Sequence, residues 1–402
     1  MSDKQEIIPR TRYIEKIKPF MDVPVIKVLT GQRRVGKSYL LLSIGRLLAE
    51  KSPDKEVLYF TSESEEAMKV QNAEDLLNWV RSKTDFNKPF VLLADEIQEI
   101  EDFSDALRIL LAKGTIDIYC TGSDAEFLSR DILGVLSGRA VEFPVFPLSW
   151  KEFKKFHKLE DNDETLTLYL KLGGMPFLRN LPLDEPIAYE YLKNVYAGIL
   201  YRDIVHRRSL RNTDLLERII TFLADNIGSM VSSRNIANFL KNHKSGGSVS
   251  AVVEYLKHVS DSGIVQRISR SDLEGKKIFE IGEKYYFTDL GLRHSIHEFR
   301  GSDMGKIVEN AVCLHLLQSG WKVYTGEAAG KEIDFVCKKH NKKMYVQAAY
   351  LIPDEKTAQR EFGNLLAISD AWPKVVVSMN PLRGSQEGIP HTSLREFLNT
   401  EH

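Results

Sequence analysis

In the first third of the chain, short apolar runs alternate with stretches whose apolar positions recur every three or four residues. VPVIKVLT, from Val23, is rich in β-branched residues; a loop follows, then SYLLLSIGRLLAE, which keeps a helical period. EVLYF, FVLLA and TIDIYC are further runs of strand length, and another strand is predicted after Arg139. Runs this apolar read as strands buried on both faces, which predicts a parallel sheet with helices on both sides. From about Lys158 the spacing turns helical, and GGMPFLRNLP, from Gly173, is a Gly/Pro break that starts a connecting segment. LLERIITFLADNIGSMVSSRNIANFL and SVSAVVEYLKHVSDSGIV are amphipathic stretches joined by the turn KNHKSGG, and a charged stretch that predicts a hairpin runs on from Gln266. Helix, turn, helix and hairpin predict a winged helix. GKIVENAVCLHLL then predicts a helix, EIDFVCKKHNKKMYVQAAY two strands around a charged turn, and PDEKTAQREFGNLLAISD a last helix. The fold class is α/β, in four parts: a sheet domain over 1–157, a helical connector over 158–213, a winged helix over 214–298 and a second α/β domain over 299–402.

Composition changes this picture little. A chain of 402 residues with 43 % hydrophobic and 28 % charged residues is ordinary globular material. The balance of 55 basic against 56 acidic residues gives no global cationic field, so any nucleic-acid contact must come from a local patch. Cys120, Cys313 and Cys337 have no paired spacing, which fits reduced thiols and neither a disulfide framework nor a zinc knuckle. The start MSDKQEIIPRTRY has no apolar signal core and no run approaches membrane-spanning length, so the expectation is a cytoplasmic protein.

The chemistry begins in the loop after the first strand. Gly31, Gly36, Lys37 and Ser38 carry the spacing G-x-x-x-x-G-K-[ST] between a strand and a helix. Glycines there let backbone amides turn inward around a phosphate at a helix N-terminus that already favours anions. Gly31, Gln32, Arg33, Arg34, Val35, Gly36, Lys37, Ser38 and Tyr39 are therefore expected to bind ATP, with Lys37 on the β- and γ-phosphates and Ser38 on Mg²⁺. The run Phe90–Ala94 ends in two carboxylates, of which Asp95 would hold the metal's water shell and Glu96 would polarise the attacking water. Thr121 or Ser123, at the next strand's end, would sense the γ-phosphate. Arg139 would contact the γ-phosphate in cis or a neighbour's in trans, or be a surface arginine.

Taken in order, GQRRVGKSYLLL, ADEIQ, TGSDAEFLS, LSGRAVEFPVFPLSWKEF and KLGGMPF resemble a prokaryotic family of AAA-like P-loop ATPases whose C-terminal part is similar to a restriction-endonuclease fold. The resemblance covers nearly the whole chain, and the run Leu136–Phe153 is more specific to the family than the phosphate loop. It implies a P-loop NTPase sheet over 1–157, ATP binding and hydrolysis, and a restriction-endonuclease-like domain over 299–402; it implies no single biological role. Arg202 and Asp203 resemble a further family signature.

In the C-terminal part, Glu309 shares a helix face with Val312, Cys313 and Leu316, and a carboxylate on an apolar stripe needs a partner. Lys306 is one such partner. Strand alternation expects Ile333, Phe335 and Cys337 on one face, Glu332 and Asp334 on the other, and Gln347 beside position 349. Glu309, Asp334 and Gln347 thus form a second candidate Mg²⁺ site of the endonuclease-like pattern, which also wants a lysine two residues after the Gln. That position is Ala349; Lys356 and then Lys306 are the substitutes within reach. Arg202, Arg207, Arg208 and Arg211 are a solvated face or a phosphate or partner contact. The would-be recognition helix carries Glu254, Lys257 and His258 and almost no arginine, thin equipment for reading DNA.

Three functions follow. The first is an ATP-driven conformational switch engaging double-stranded DNA or a protein partner through its C-terminal domains, with a homo-oligomer open; the second is an ATP-dependent nuclease of the defence or mobile-element type. The third is an interaction protein that merely binds nucleotide, which Glu96 argues against.

Overall fold

The computed structural model describes residues 7–123, 138–242, 247–272, 282–381 and 384–401. Most of TGSDAEFLS, the start of LSGRAVEF, the core of the turn KNHKSGG and the tip of the hairpin lie outside the described residues. Among those described, no helix is long and apolar enough to cross a membrane. The chain divides into two compact units, Met1–Phe146 with Asp261–Gly263, and Pro147–Ser260 with Ile264–His402.

The first unit is built on five parallel strands: β1 (Ile26–Thr30), β2 (Glu56–Thr61), β3 (Phe90–Asp95), β4 (Ile116–Gly122) and β5 (Ala140–Pro144). Their order is β2-β3-β4-β1-β5. Every residue of β1, β3 and β4 is buried, as in strands covered on both faces. Leu92 and Ala94 pack with Leu76 and Val80 of the helix Ala73–Lys83 and with Leu107 and Leu110 of the helix Phe103–Leu111. On the opposite face Gly45 of the helix Lys37–Lys51 lies against Leu93, so helices cover both faces. Since β4 sits between β1 and β3, the phosphate loop after β1 opens beside the carboxylates that end β3.

The first run carries a charge in its middle. Lys27 is wholly buried, pairs with buried Asp117 on β4 and donates to the Val23 carbonyl at 2.9 Å. Tyr119 Oη donates to the same aspartate at 2.8 Å, so the pair is hydrogen-bonded on both sides.

The second unit centres on an eight-stranded mixed sheet of β6 (Val265–Asp272), β7 (Glu283–Phe287), β8 (Lys322–Ala328), β9 (Lys331–Lys339), β10 (Lys342–Ala348), β11 (Lys374–Ser378), β12 (Gly384–Gln386) and β13 (Ile389–Ser393). The order is β12-β13-β11-β10-β9-β8-β6-β7. β6 pairs antiparallel with β7 through Val265–Ser269 and parallel with β8 through Arg270–Asp272. The hairpin that follows the helices Thr213–Asp225, Ser233–Asn242 and Val249–Asp261 is thus continuous with the C-terminal sheet.

Alternation along β9 differs from the sequence expectation. Tyr324 pairs with Val336 but Gly326 with Ile333, so Thr325 alone lies opposite both Asp334 and Phe335. This β-bulge shifts the pleat by one residue. Ile333 packs with Val336, Tyr345 and Phe362, on the side of the helix Glu355–Leu366. Phe335 and Cys337 pack with Val308 and Val312 of the helix Met304–Gln318 on the other side.

Candidate nucleotide site

The loop after β1 is held by its backbone. Gly31 and Gly36 have φ of 137° and 93°, and Arg34 has φ of 70°. A Cβ on Gly31 would overlap the Val145 carbonyl oxygen, so only glycine fits this turn. Val35 is buried in the core, whereas Arg34 and Tyr39 are exposed. The side chain of Lys37 folds back over the loop, where Nζ donates to the carbonyls of Gly31 at 2.9 Å and Gln32 at 3.1 Å. Gln32 is buried with neither atom of its side-chain amide hydrogen-bonded. A buried polar group left so at a phosphate-type loop suits a polar ligand, and the donor set fits a nucleotide phosphate.

The carboxylates meet this loop. Ser38 Oγ donates to Asp95 Oδ1 at 3.0 Å, Thr121 Oγ1 donates to the same oxygen at 2.6 Å, and Tyr59 Oη donates to Oδ2 at 3.2 Å. Burial pushes the Asp95 carboxyl up, opposed by the hydrogen bonds from Thr121 and Ser38. Glu96 stands in the left-handed region at φ 51°, and its N–H donates to Thr121 Oγ1 at 2.8 Å. Its carboxylate lies 3.8 Å from Lys37 Nζ and accepts from Gln98 Nε2. Gln98 Nε2 also reaches buried Ser123 Oγ at 3.4 Å. Ser38, Asp95, Glu96, Lys37 and Ser123 therefore come together. The sequence reading gave Thr121 only a sensing role and passed over Gln98.

Arg139 is not brought there. It is exposed, and its carbonyl accepts from Ile26 N–H at 2.8 Å, at the start of β1. The loop leaves the other end of that strand, about 13 Å away at the usual rise per residue. A cis contact with a phosphate at the loop does not follow from this placement.

The model of an AAA domain matches residues 24–154, and a model for a domain of unknown function matches residues 163–303. An uncharacterised protein of Haemophilus influenzae is 32 % identical over 378 residues, covering 92 % of this chain and 93 % of its own. The chain is an AAA-domain protein of that relative's family. An uncharacterised protein of Methanocaldococcus jannaschii is 28 % identical over 375 residues, which is 89 % of the chain and 82 % of the relative. A solved structure, the Walker-type ATPase of Pyrococcus abyssi, superposes on this AAA-domain protein with a TM-score of 0.50 at 16 % identity. The match covers 73 % of this chain and 99 % of that one. The first unit of the AAA-domain protein has the P-loop NTPase fold, a parallel sheet flanked by helices.

The second acid group lies in the other unit. Glu309 Oε1 accepts from Lys284 Nζ at 2.8 Å and from Tyr286 Oη at 2.6 Å. Lys284 also pairs with Glu332 at 2.5 Å and stands 3.7 Å from Asp334 Oδ1. Asp334 Oδ2 accepts the Ala348 N–H at 2.9 Å. Gln347 joins differently: its Oε1 accepts the Asp334 backbone N–H at 3.3 Å, so it satisfies the donor that the bulge leaves out of the ladder. Lys306, the expected partner of Glu309, donates instead to the Asp225 carbonyl at 2.6 Å. The cation of this cluster is Lys284, which the sequence reading did not single out.

Proposed function

We propose that this AAA-domain protein binds ATP with Mg²⁺ along Gly31–Tyr39, hydrolyses it, and uses the cycle as a conformational switch that engages a protein partner through the region 147–402. The observation that carries the reading is the contact of the loop with the strand-end acids, Lys37 Nζ at 3.8 Å from Glu96 and Ser38 Oγ at 3.0 Å from Asp95. Mg²⁺, when bound, supplies positive charge that stabilises the phosphate oxygens. Ser38 and Asp95 would hold it, with Thr121 fixing the carboxylate. Lys37 would exchange the carbonyls of Gly31 and Gln32 for phosphate oxygens. Glu96, its backbone tied to Thr121, would take a proton from water, with Gln98, itself in reach of Ser123, orienting its carboxylate.

A protein partner is favoured over DNA by the surface of the helices that read as a winged helix. Val249 and Val253 of the helix Val249–Asp261 are 42 % and 53 % exposed, and Glu254 stands 3.6 Å from His258 on the same helix. Apolar side chains beside an acid suit a protein surface better than a phosphate backbone.

The test is Mg²⁺-dependent ATP hydrolysis by the full chain, with and without double-stranded DNA, against Glu96→Gln. The variant should bind ATP as the wild type does and turn over about 10²- to 10⁴-fold more slowly. Unchanged turnover removes Glu96 from the mechanism. Stimulation by DNA would replace the protein partner with DNA.

A further inference from the structure

Lys284 gathers three carboxylates, of which those of Glu309 and Asp334 are largely buried and that of Glu332 is half-exposed. One ammonium, only 3 % exposed, touches Glu309 of the helix Met304–Gln318 and Glu332 of β9 and stands near Asp334 of the same strand. An ordinary ion pair joins two side chains; here a single cation faces three carboxylates from two elements, and two of them, Glu309 and Asp334, are the acids that the endonuclease-like pattern would give to a metal. The ammonium arrives from β7, a third element.

The surroundings close the position. Tyr286 Oη donates to Glu309, and a Cβ on Gly228, at φ 71°, would meet Glu309 Oε2 at 2.9 Å, so backbone lies directly against the carboxylate. Asp334 has one oxygen on the Ala348 N–H and the other toward Lys284. Gln347, the third expected metal ligand, has its oxygen on the Asp334 backbone. Among the described residues no group of three or more acidic, His or Cys side chains is set to hold a metal ion.

We infer that Lys284 is the resident cation of a divalent-metal-type site formed by Glu309, Glu332 and Asp334, so that this site is filled by the chain itself and joins the hairpin to the C-terminal sheet instead of cutting nucleic acid. The inference does not depend on the nucleotide site, and its test is run without nucleotide.

Mn²⁺ binding is measured by electron paramagnetic resonance on the full chain as wild type, Asp334→Asn, Lys284→Ala and the double variant. The wild type should show no Mn²⁺ that Asp334→Asn removes. Lys284→Ala should gain one site at least about tenfold tighter than any in the wild type, about 1.4 kcal/mol, and the double variant should lose it. Mn²⁺ should also raise the melting temperature of Lys284→Ala and leave that of the wild type in place. A wild-type site that Asp334→Asn abolishes overturns the inference, and that comparison stands even if the lysine variant does not fold. A folded Lys284→Ala that gains no Mn²⁺ overturns it equally.

Discussion

Thr121 shows how much one hydroxyl can fix. It donates to Asp95 at 2.6 Å and accepts from Glu96 N–H at 2.8 Å, so it aims one carboxylate and holds the strained backbone of the next residue. At Ala349, where the endonuclease-like pattern wants a lysine, the surroundings argue against a simple repair. Ala349 is 8 % exposed and its N–H donates to the Val377 carbonyl at 2.9 Å. A lysine placed there finds the Asp334 oxygens already engaged by Lys284 and Ala348. Ala349→Lys should therefore produce no Mg²⁺-dependent cleavage of plasmid or linear DNA, and its melting temperature should fall, because an unpaired ammonium out of water costs at least about 2 kcal/mol. Cleavage by this variant, lost again with Asp334→Ala, would return the nuclease reading. That Lys37, Ser38, Asp95 and Glu96 come together was legible, because they lie in two short stretches whose loop and strand-end positions are set locally. The need of Glu309 for a partner was legible too, from a carboxylate on an apolar stripe. Its partner was not: Lys284 lies 25 residues upstream in a charged hairpin, and only a lysine next to the aromatic pair Tyr285 and Tyr286 hinted that it faces inward.

At the scale of elements, the same limit appears in β9. Period-two alternation holds only while the ladder keeps its register, and the bulge at Asp334 and Phe335 moves Ile333 to the opposite core from Phe335. Nothing in IDFV marks that slip. The motif KLGGMPF, by contrast, now has a physical basis. A Cβ on Gly174 would overlap the Leu148 carbonyl, and Gly174 N–H donates to Asp289 Oδ2 at 2.7 Å. Asp289 also caps the helix Leu290–Ile296 through Leu292 N–H at 2.8 Å. Its burial pushes the carboxyl from 3.8 up to about 6, against the backbone hydrogen bonds that favour the ionised form. Because the folded state then keeps its proton to higher pH than the unfolded chain, the contribution of Asp289 to stability falls as pH rises through 3.8 to about 6, and stays low above. Urea unfolding at several pH values should show the wild type losing up to about 3 kcal/mol relative to Asp289→Asn between about pH 4 and pH 7. A difference between the two proteins that is independent of pH would show that Asp289 ionises normally. Asp289→Asn should be less stable than the wild type at the acid end, where it gives up one acceptor for a backbone N–H.

At the scale of the whole molecule, each unit has apolar clusters of its own among the described residues: one built from β1 to β4 and two of their helices, the others from the eight-stranded sheet and its helices. Units with their own cores unfold as separate cooperative steps unless coupling joins them. Calorimetry of Glu96→Gln, which should hold ATP without consuming it, is therefore expected to show two transitions. Mg²⁺ and ATP at about a hundredfold excess over the dissociation constant should stabilise the first unit by about 2.7 kcal/mol, and Lys37→Ala should remove that shift. A switch demands more than this. A ligand biases a state only through its different affinities for the alternatives, so the proposed switch requires ATP and ADP to act differently on the region 147–402. The transition of the region 147–402 should then lie at different temperatures in the ATP- and ADP-loaded protein. If it lies at one temperature in both, hydrolysis is confined to the first unit and the switch reading fails, while the ATPase assignment stands on the Glu96 test alone.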